Sequence, residues 1–214
     1  MSTLEHAPTA PVLVSRWRPT PARLARLLVG LAVFGLGEAL LVASDLGNSP
    51  WTVLAEGLAK HTPLAVGGAT VAISVLVLCA WFPLRQRPGL GTILNALMIG
   101  VVIDVTLAVL PEHFALGPRW AFVVLGIALV AVGSGLYLTS LLGPGPRDGL
   151  MTGLHRRTGR SLRLVRACLE LSVVGAGFAL GGTVGAGTLA FALLIGPGVQ
   201  LFVHRLGGSD THAL

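Results

Sequence analysis

The chain has 214 residues, of which 53% are hydrophobic and only 11% are charged. Soluble domains carry about 25% charged residues, so this composition excludes an ordinary soluble protein and indicates one that buries its surface in lipid. The formal net charge of +6 would favour nucleic acid in a soluble protein. In a membrane protein, the positions of the lysines and arginines along the chain indicate instead which loops face the cytoplasm. No nucleic-acid partner is expected.

Apolar runs of about 20 residues, the length that crosses a bilayer core, follow one another along the chain. Segment 1–23 precedes them and is rich in proline and arginine, which predicts a disordered basic tail; segment 206–214 is a second short tail. The predicted spans are about 24–44, 64–83, 91–110, 119–142, 164–182 and 186–204. The sequence therefore predicts an all-α, polytopic, multi-pass membrane protein with six transmembrane helices, whose main partner is the lipid bilayer.

The chain repeats itself once, at an offset of 96 residues. Gly91-Thr92 recurs as Gly187-Thr188, and Leu46-Gly47 recurs as Leu142-Gly143. The first membrane repeat is 24–110 and the second is 119–205. Each repeat holds three spans, an odd number, so the second copy enters the membrane upside down. This predicts two inverted three-helix repeats, an arrangement that many transporters use.

Cations favour one side of the predicted membrane. With the N-terminus in the cytoplasm, only Lys60 and Arg119 of the fifteen lysines and arginines fall outside. The thirteen on or near the cytoplasmic side are Arg16, Arg18, Arg23, Arg26, Arg85, Arg87, Arg147, Arg156, Arg157, Arg160, Arg163, Arg166 and Arg205. This bias follows the positive-inside rule and predicts that both termini are cytoplasmic.

Each repeat contains a segment that is too long for a turn and too short for a span. One begins at Ser49 and Pro50, and the other at Gly145 and Pro146. Proline at the first helical position is typical of a helix start. A helix of about 11 residues reaches roughly 16 Å, half a bilayer. Two interpretations stay open: a short amphipathic helix at each interface, or a re-entrant half-helix whose positive end could hold an anion.

Charged residues inside or beside the spans are the candidates for a substrate or ion pathway, because such groups are costly in lipid and need a partner or water. The candidates are Glu38, Asp104, Arg147, Asp148, Arg166 and Glu170. Arg166 and Glu170 are four residues apart, so a self-contained ion pair is the alternative explanation for them. Glu38 and Asp104 have no cation nearby in the sequence. No residues show metal-ligand spacing, and no cofactor is expected.

The second copy carries a pattern that resembles the bacterial YczE/YyaS/YitT integral membrane proteins. The pattern runs from Gly143 to Met151, includes Arg166 and Glu170, and ends with Gly187-Thr188 and Ile195-Gly196-Pro197. The resemblance covers about residues 25–205. One departure is Thr52, opposite Asp148, where the family often has a further acidic residue. The resemblance implies a polytopic protein of the bacterial inner (cytoplasmic) membrane and little about its chemistry.

Three classes of function remain. A small-molecule transporter or facilitator, with a small-molecule or anionic substrate, agrees with the repeat and the intramembrane acids. A non-transport scaffold or accessory partner of another system agrees with a chain that has almost no soluble part. An enzyme is not expected, because no nucleophile with its base appears in the spans. A homo-oligomer is left open.

Overall fold

A computed structural model describes residues 15–111 and 114–207, and within these ranges all regular secondary structure is helical. The helices are α1 (Pro21–Ser44), α2 (Pro50–Ala59), α3 (Val66–Trp81), α4 (Leu90–Val109), α5 (Leu116–Leu138), α6 (Pro146–Thr158), α7 (Leu162–Ala179) and α8 (Ala186–Gly207). The two short helices that the sequence predicts are present as α2 and α6. Most of the predicted N-terminal tail and all of 208–214 lie outside the described residues.

Helix boundaries follow local chemistry. The first helix starts at Pro21, three residues before the predicted start, because the Thr20 side chain accepts a hydrogen bond from the Arg23 amide and Pro21 lies in the first turn. The fifth helix ends at Leu138, earlier than the predicted 142. The backbone there turns through Leu141, at a φ of 56°, and Gly143, at a φ of 117°. Such left-handed positions stop a helix.

The outer surface of the protein is apolar. Val109, Val124, Leu171 and Phe82 are among many large hydrophobic side chains that are exposed, a surface that suits lipid and not water. The helices α1, α4, α5 and α8 are long and apolar enough to cross a membrane. This is the construction of a polytopic membrane protein. The other two predicted spans are weaker: α3 has 16 residues, and α7 carries Arg163, Arg166 and Glu170.

The helices α1 and α5 cross with their backbones in contact. A Cβ added to Gly37 would lie 2.7 Å from the carbonyl oxygen of Gly126, and one added to Gly126 would lie 2.8 Å from the carbonyl oxygen of Gly37. A second contact of this kind joins Gly30 and Gly133. A Cβ added to Gly30 would lie 3.0 Å from the Gly133 carbonyl oxygen, and one added to Gly133 would lie 2.6 Å from the Gly30 carbonyl oxygen. Residue numbers rise along α1, from Gly30 to Gly37, while those of the facing residues in α5 fall, from Gly133 to Gly126. The two helices are therefore antiparallel.

Two arginines each hold the C-terminal end of the opposite helix. Arg23 donates from Nε to the carbonyl of Ser140 and from Nη2 to the carbonyl of Leu141, both at 2.8 Å. Arg119 donates to the carbonyls of Ser44 and Asp45, at 2.5 and 2.6 Å. The three residues of one contact are those of the other displaced by 96. A guanidinium on the free carbonyls of a helix end is stabilising, because those carbonyls have no intrahelical partner.

The connecting turns are also exchanged between the two halves of the chain. The Gly91 amide donates to the Leu142 carbonyl, and the Gly187 amide donates to the Leu46 carbonyl, both at 2.8 Å. Each turn before a short helix is therefore fastened to the start of the long helix that ends the other half. As a consequence, a contact with the second half of the chain positions the start of α2, and a contact with the first half positions the start of α6.

Candidate functional site: a central polar cavity

A cavity of about 230 Å³ lies among seven of the helices, with the starts of both short helices in its wall. Side chains of α1, α2, α4, α5, α6, α7 and α8 line it. Its polar and charged members are Glu38, Ser49, Asn95, Ser134, Tyr137, Arg147, Asp148, Arg166, Glu170 and Gln200. Its apolar members include Phe34, Trp51, Ile99, Val130, Phe191 and Ile195. A cavity with apolar walls and a few convergent polar and charged groups is the arrangement expected of a binding site.

The start of α2 rests on a buried carboxylate. Glu38 of α1 is completely buried. Its Oε2 accepts hydrogen bonds from the hydroxyls of Ser49, at 2.8 Å, and Thr52, at 2.7 Å. Its Oε1 has no hydrogen-bond partner among the described residues. A buried carboxylate oxygen without a donor is unfavourable, so Glu38 is only partly satisfied by the protein.

The start of α6 brings both signs of charge to the same cavity. Asp148 accepts a short hydrogen bond from the Tyr137 hydroxyl. The Arg147 guanidinium lies over the Trp51 ring of α2, 5.2 Å from its centroid. This cation–π contact joins the first turns of the two short helices.

The α7 side of the cavity carries the ion pair that the sequence spacing predicts. Arg166 Nε lies 2.7 Å from Glu170 Oε1. Both side chains are partly exposed, and both line the cavity. Because each charge has its partner within the same helix, this pair is locally satisfied.

Eight of the ten sequence candidates therefore meet in one place. The ones that line the cavity are Glu38, Ser49, Pro50, Gly145, Arg147, Asp148, Arg166 and Glu170. Pro146 lies just behind the wall, where its carbonyl accepts a hydrogen bond from Trp81 Nε1 at 2.9 Å. Among residues 15–111 and 114–207, no group of three or more metal-binding side chains is found.

Asp104 is not brought to this cavity. Its two carboxylate oxygens accept hydrogen bonds from the amides of Gly67, at 2.6 Å, and Gly68, at 2.9 Å. It lines a separate, more open depression together with Glu56 and Lys60. A carboxylate on the free amides of a helix start is stabilising, which accounts for this acid without a ligand. The sequence could not show this contact, because Asp104 and Gly67 are 37 residues apart.

Trp51 lies in the cavity wall, a position that its residue type does not indicate. A tryptophan at the start of a short helix is typical of an interfacial anchor, yet its side chain is 7% exposed and faces Arg147. A signal was present in the repeat: Trp51 and Arg147 are equivalent positions at the offset of 96. If two copies of a repeat pack around a two-fold axis, only equivalent residues near that axis touch, so the offset marks this pair as one candidate contact among many.

Comparison with known proteins places this architecture in a family. Residues 21–204 match the model of a family of unknown function, DUF6198. The chain belongs to this family. An uncharacterised protein of Haemophilus influenzae is 44% identical over 190 residues, which cover 89% of this chain and 87% of that protein. The chain also matches two proteins of Bacillus subtilis.

The uncharacterised membrane protein YczE is 34% identical over 170 residues, covering 78% of this chain and 79% of YczE. The uncharacterised protein YyaS is 28% identical over 179 residues, covering 82% of this chain and 89% of YyaS. The resemblance to YczE and YyaS that the sequence motifs indicate is confirmed. No solved structure matches the chain significantly.

Proposed function

We propose that this DUF6198 protein is a transporter or facilitator of small molecules in the bacterial inner membrane. The observation that carries the proposal is the central cavity, in which the starts of two short helices meet a buried carboxylate and an arginine. Buried charge of this kind is costly in a membrane protein, and it is typical of substrate and ion pathways. The similarity to YczE, an uncharacterised membrane protein, supports a membrane location.

The proposal includes an inverted repeat with the cavity at its centre. Its support is the set of paired contacts: the two glycine crossings of α1 and α5, the two arginine contacts and the two exchanged turns. Each pair is related by the offset of 96, and the equivalent helices α1 and α5 are antiparallel. Two equivalent elements that run in opposite directions across a membrane are related by an axis in the membrane plane.

We extend the proposal to six spans with cytoplasmic termini. The helices α3 and α7, at 16 and 18 residues, reach about 24 and 27 Å, close to the roughly 30 Å of a bilayer core. The distribution of arginines supports the orientation.

Of the two interpretations of the short helices, the proposal takes the re-entrant one. Support comes from burial, because Pro50, Trp51 and Thr52 lie inside the protein, whereas an interfacial helix would expose one face to headgroups. The proposed protein needs no cofactor or nucleic acid, and we assign it no enzymatic activity.

Accessibility of the cavity tests the transport function against the scaffold alternative. Ser134 lines the cavity and is buried, so Ser134→Cys is introduced after Cys79 and Cys168 are replaced. A transporter exposes its site to each face in turn, and we expect a membrane-impermeant thiol reagent to label this cysteine both in intact cells and in inside-out vesicles. Leu171→Cys, on the exposed apolar surface, is the control that should stay unlabelled. Protection of Ser134→Cys from both sides would favour the scaffold function and overturn the proposal.

A further inference from the structure

We infer that the central cavity binds a small zwitterion with an apolar body, its ammonium group against Glu38 and its carboxylate against Arg147. This inference rests on the proposed function and names the class of substrate for the same cavity. It follows from which charges of the site are satisfied within the protein and which are not.

Glu38 supplies the place for a cation. The carboxylate is completely buried, two hydroxyls occupy its Oε2, and its Oε1 has no partner within the described part of the chain. Because Glu38 lines the cavity, a donor that enters the cavity can complete the carboxylate. An ammonium group suits this position best, since it brings both a charge and several donors.

Arg147 supplies the place for an anion. Its guanidinium lies over the Trp51 ring, 5.2 Å from the ring centroid, and also lines the cavity. The ion pairs among residues 15–111 and 114–207 join Lys60 to Glu56, Arg119 to Asp45 and Arg166 to Glu170, and none includes Arg147. A guanidinium held by stacking keeps its in-plane N–H donors free for a carboxylate. The start of α6, where Arg147 lies, adds the positive end of a helix dipole.

The two groups line one cavity without forming an ion pair. Glu38 binds Ser49 and Thr52, which flank Trp51 in the first turn of α2, and Arg147 covers Trp51 itself. Their charged atoms are nevertheless not within ion-pair distance. A buried charge that has no partner is unfavourable, and a hydrogen-bonding group of opposite charge offsets that cost. A ligand that carries both charges can pair with both groups at once, whereas a simple anion or cation satisfies only one of them.

The other charges of the cavity do not alter this assignment. Arg166 and Glu170 pair with each other, and Asp148 accepts from Tyr137. The volume of about 230 Å³ is smaller than that of a typical site for drug-sized ligands. The apolar wall formed by Phe34, Ile99, Val130, Phe191 and Ile195 favours a ligand with a short hydrocarbon body.

Matched ligands test the assignment directly. The probes are L-alanine, L-valine and L-leucine, each with the acid that lacks its amino group and the amine that lacks its carboxylate. Thermal unfolding of the purified full-length protein is measured with each probe at one fixed concentration. We expect at least one amino acid to raise the Tm, and its acid and amine analogues to bind about tenfold more weakly or worse, because each loses one charge-assisted contact. A shift with the acid alone, a shift with the amine alone, or no shift with any probe would overturn the inference.

Variants identify which group binds which end of the ligand. Glu38→Gln keeps the size of the side chain and should weaken binding of the amino acid by about tenfold or more, while the acid analogue binds at least as well as before. Arg147→Gln should show the opposite preference. Asp45→Asn is the matched control, a carboxylate-to-amide change at an exposed position that pairs with Arg119; it should leave binding unchanged. Equal losses in Glu38→Gln and Asp45→Asn would contradict the assignment.

The two proposals fail in different ways. Labelling of Ser134→Cys depends on access to the cavity and not on the identity of a ligand. If none of the nine probes raises the Tm while this cysteine reacts from both faces, the assignment of a zwitterionic ligand is wrong and the transport function stands. If this cysteine is protected from both faces, the transport function fails as well.

Discussion

Replacing Gly37 with alanine should force α1 and α5 apart. The added Cβ would lie 2.7 Å from the Gly126 carbonyl oxygen, whereas ordinary van der Waals contact begins at 3.4 Å. The backbones must therefore separate by about 0.7 Å, the difference between 3.4 and 2.7 Å. Both sides of this contact are helix backbone, so no flexible side chain can move away to relieve it.

The expected loss follows from typical energies of overpacking. Extra methyl groups in a close-packed interior cost about 1–3 kcal/mol, and alanine returns up to about 1 kcal/mol through its higher helix propensity. Gly175 provides the matched control, because a Cβ added there meets nothing within 4 Å. Gly175→Ala should therefore show only the gain in helix propensity, without the cost of overpacking. Gly37→Ala and Gly175→Ala should then differ in stability by about 1–3 kcal/mol. At roughly 2–4 °C per kcal/mol for a chain of this size, the difference in Tm is several degrees.

The assay is thermal unfolding of the purified protein in one detergent, followed by size-exclusion chromatography of the fraction that remains monodisperse. Gly133→Ala should behave like Gly37→Ala, since its Cβ would lie 2.6 Å from the Gly30 carbonyl oxygen and Gly133 is equivalent to Gly37 in the repeat. If Gly37→Ala is as stable as Gly175→Ala, the two backbones are not in contact and the reasoning is refuted. A loss for Gly37→Ala without one for Gly133→Ala would count against the equivalence of the two crossings.

Two further predictions concern the ends of the helices and the topology. Arg23→Gln and Arg119→Gln should each lower the Tm, because each leaves two carbonyls at the end of the opposite helix without their charged donor. The expected loss of stability is about 1–3 kcal/mol. The corresponding lysine variants should recover little of it, since one ammonium group cannot reproduce the bidentate contact of a guanidinium. In a background without Cys79 and Cys168, His61→Cys should react with an impermeant thiol reagent in intact cells, whereas Arg160→Cys should react only after the membrane is opened. The reverse pattern would contradict the proposed orientation.

The sequence predicted the parts of the fold that depend on local chemistry. Proline at the first position and a small or polar residue before it mark the starts of α2 and α6, and the structure has helices at Pro50 and Pro146. The i, i+4 spacing predicted the contact between Arg166 and Glu170. Helix ends were less accurate, since α5 stops where Leu141 and Gly143 take left-handed backbone angles, and those depend on contacts with the other half of the chain.

By itself, the sequence determined that this is a membrane protein of helices, and it predicted two related halves and indicated the small set of charged residues that require an explanation. Only the tertiary structure decided which of those residues meet. Glu38 joins Ser49 and Thr52 beside the cavity, whereas Asp104, an acid of the same apparent kind, binds the amides at the start of α3. The physical reason is that helices in lipid are apolar on most faces, so periodicity does not show which face of one helix meets which face of another. That choice depends on close backbone contacts such as Gly37 with Gly126, which form only when the whole bundle packs.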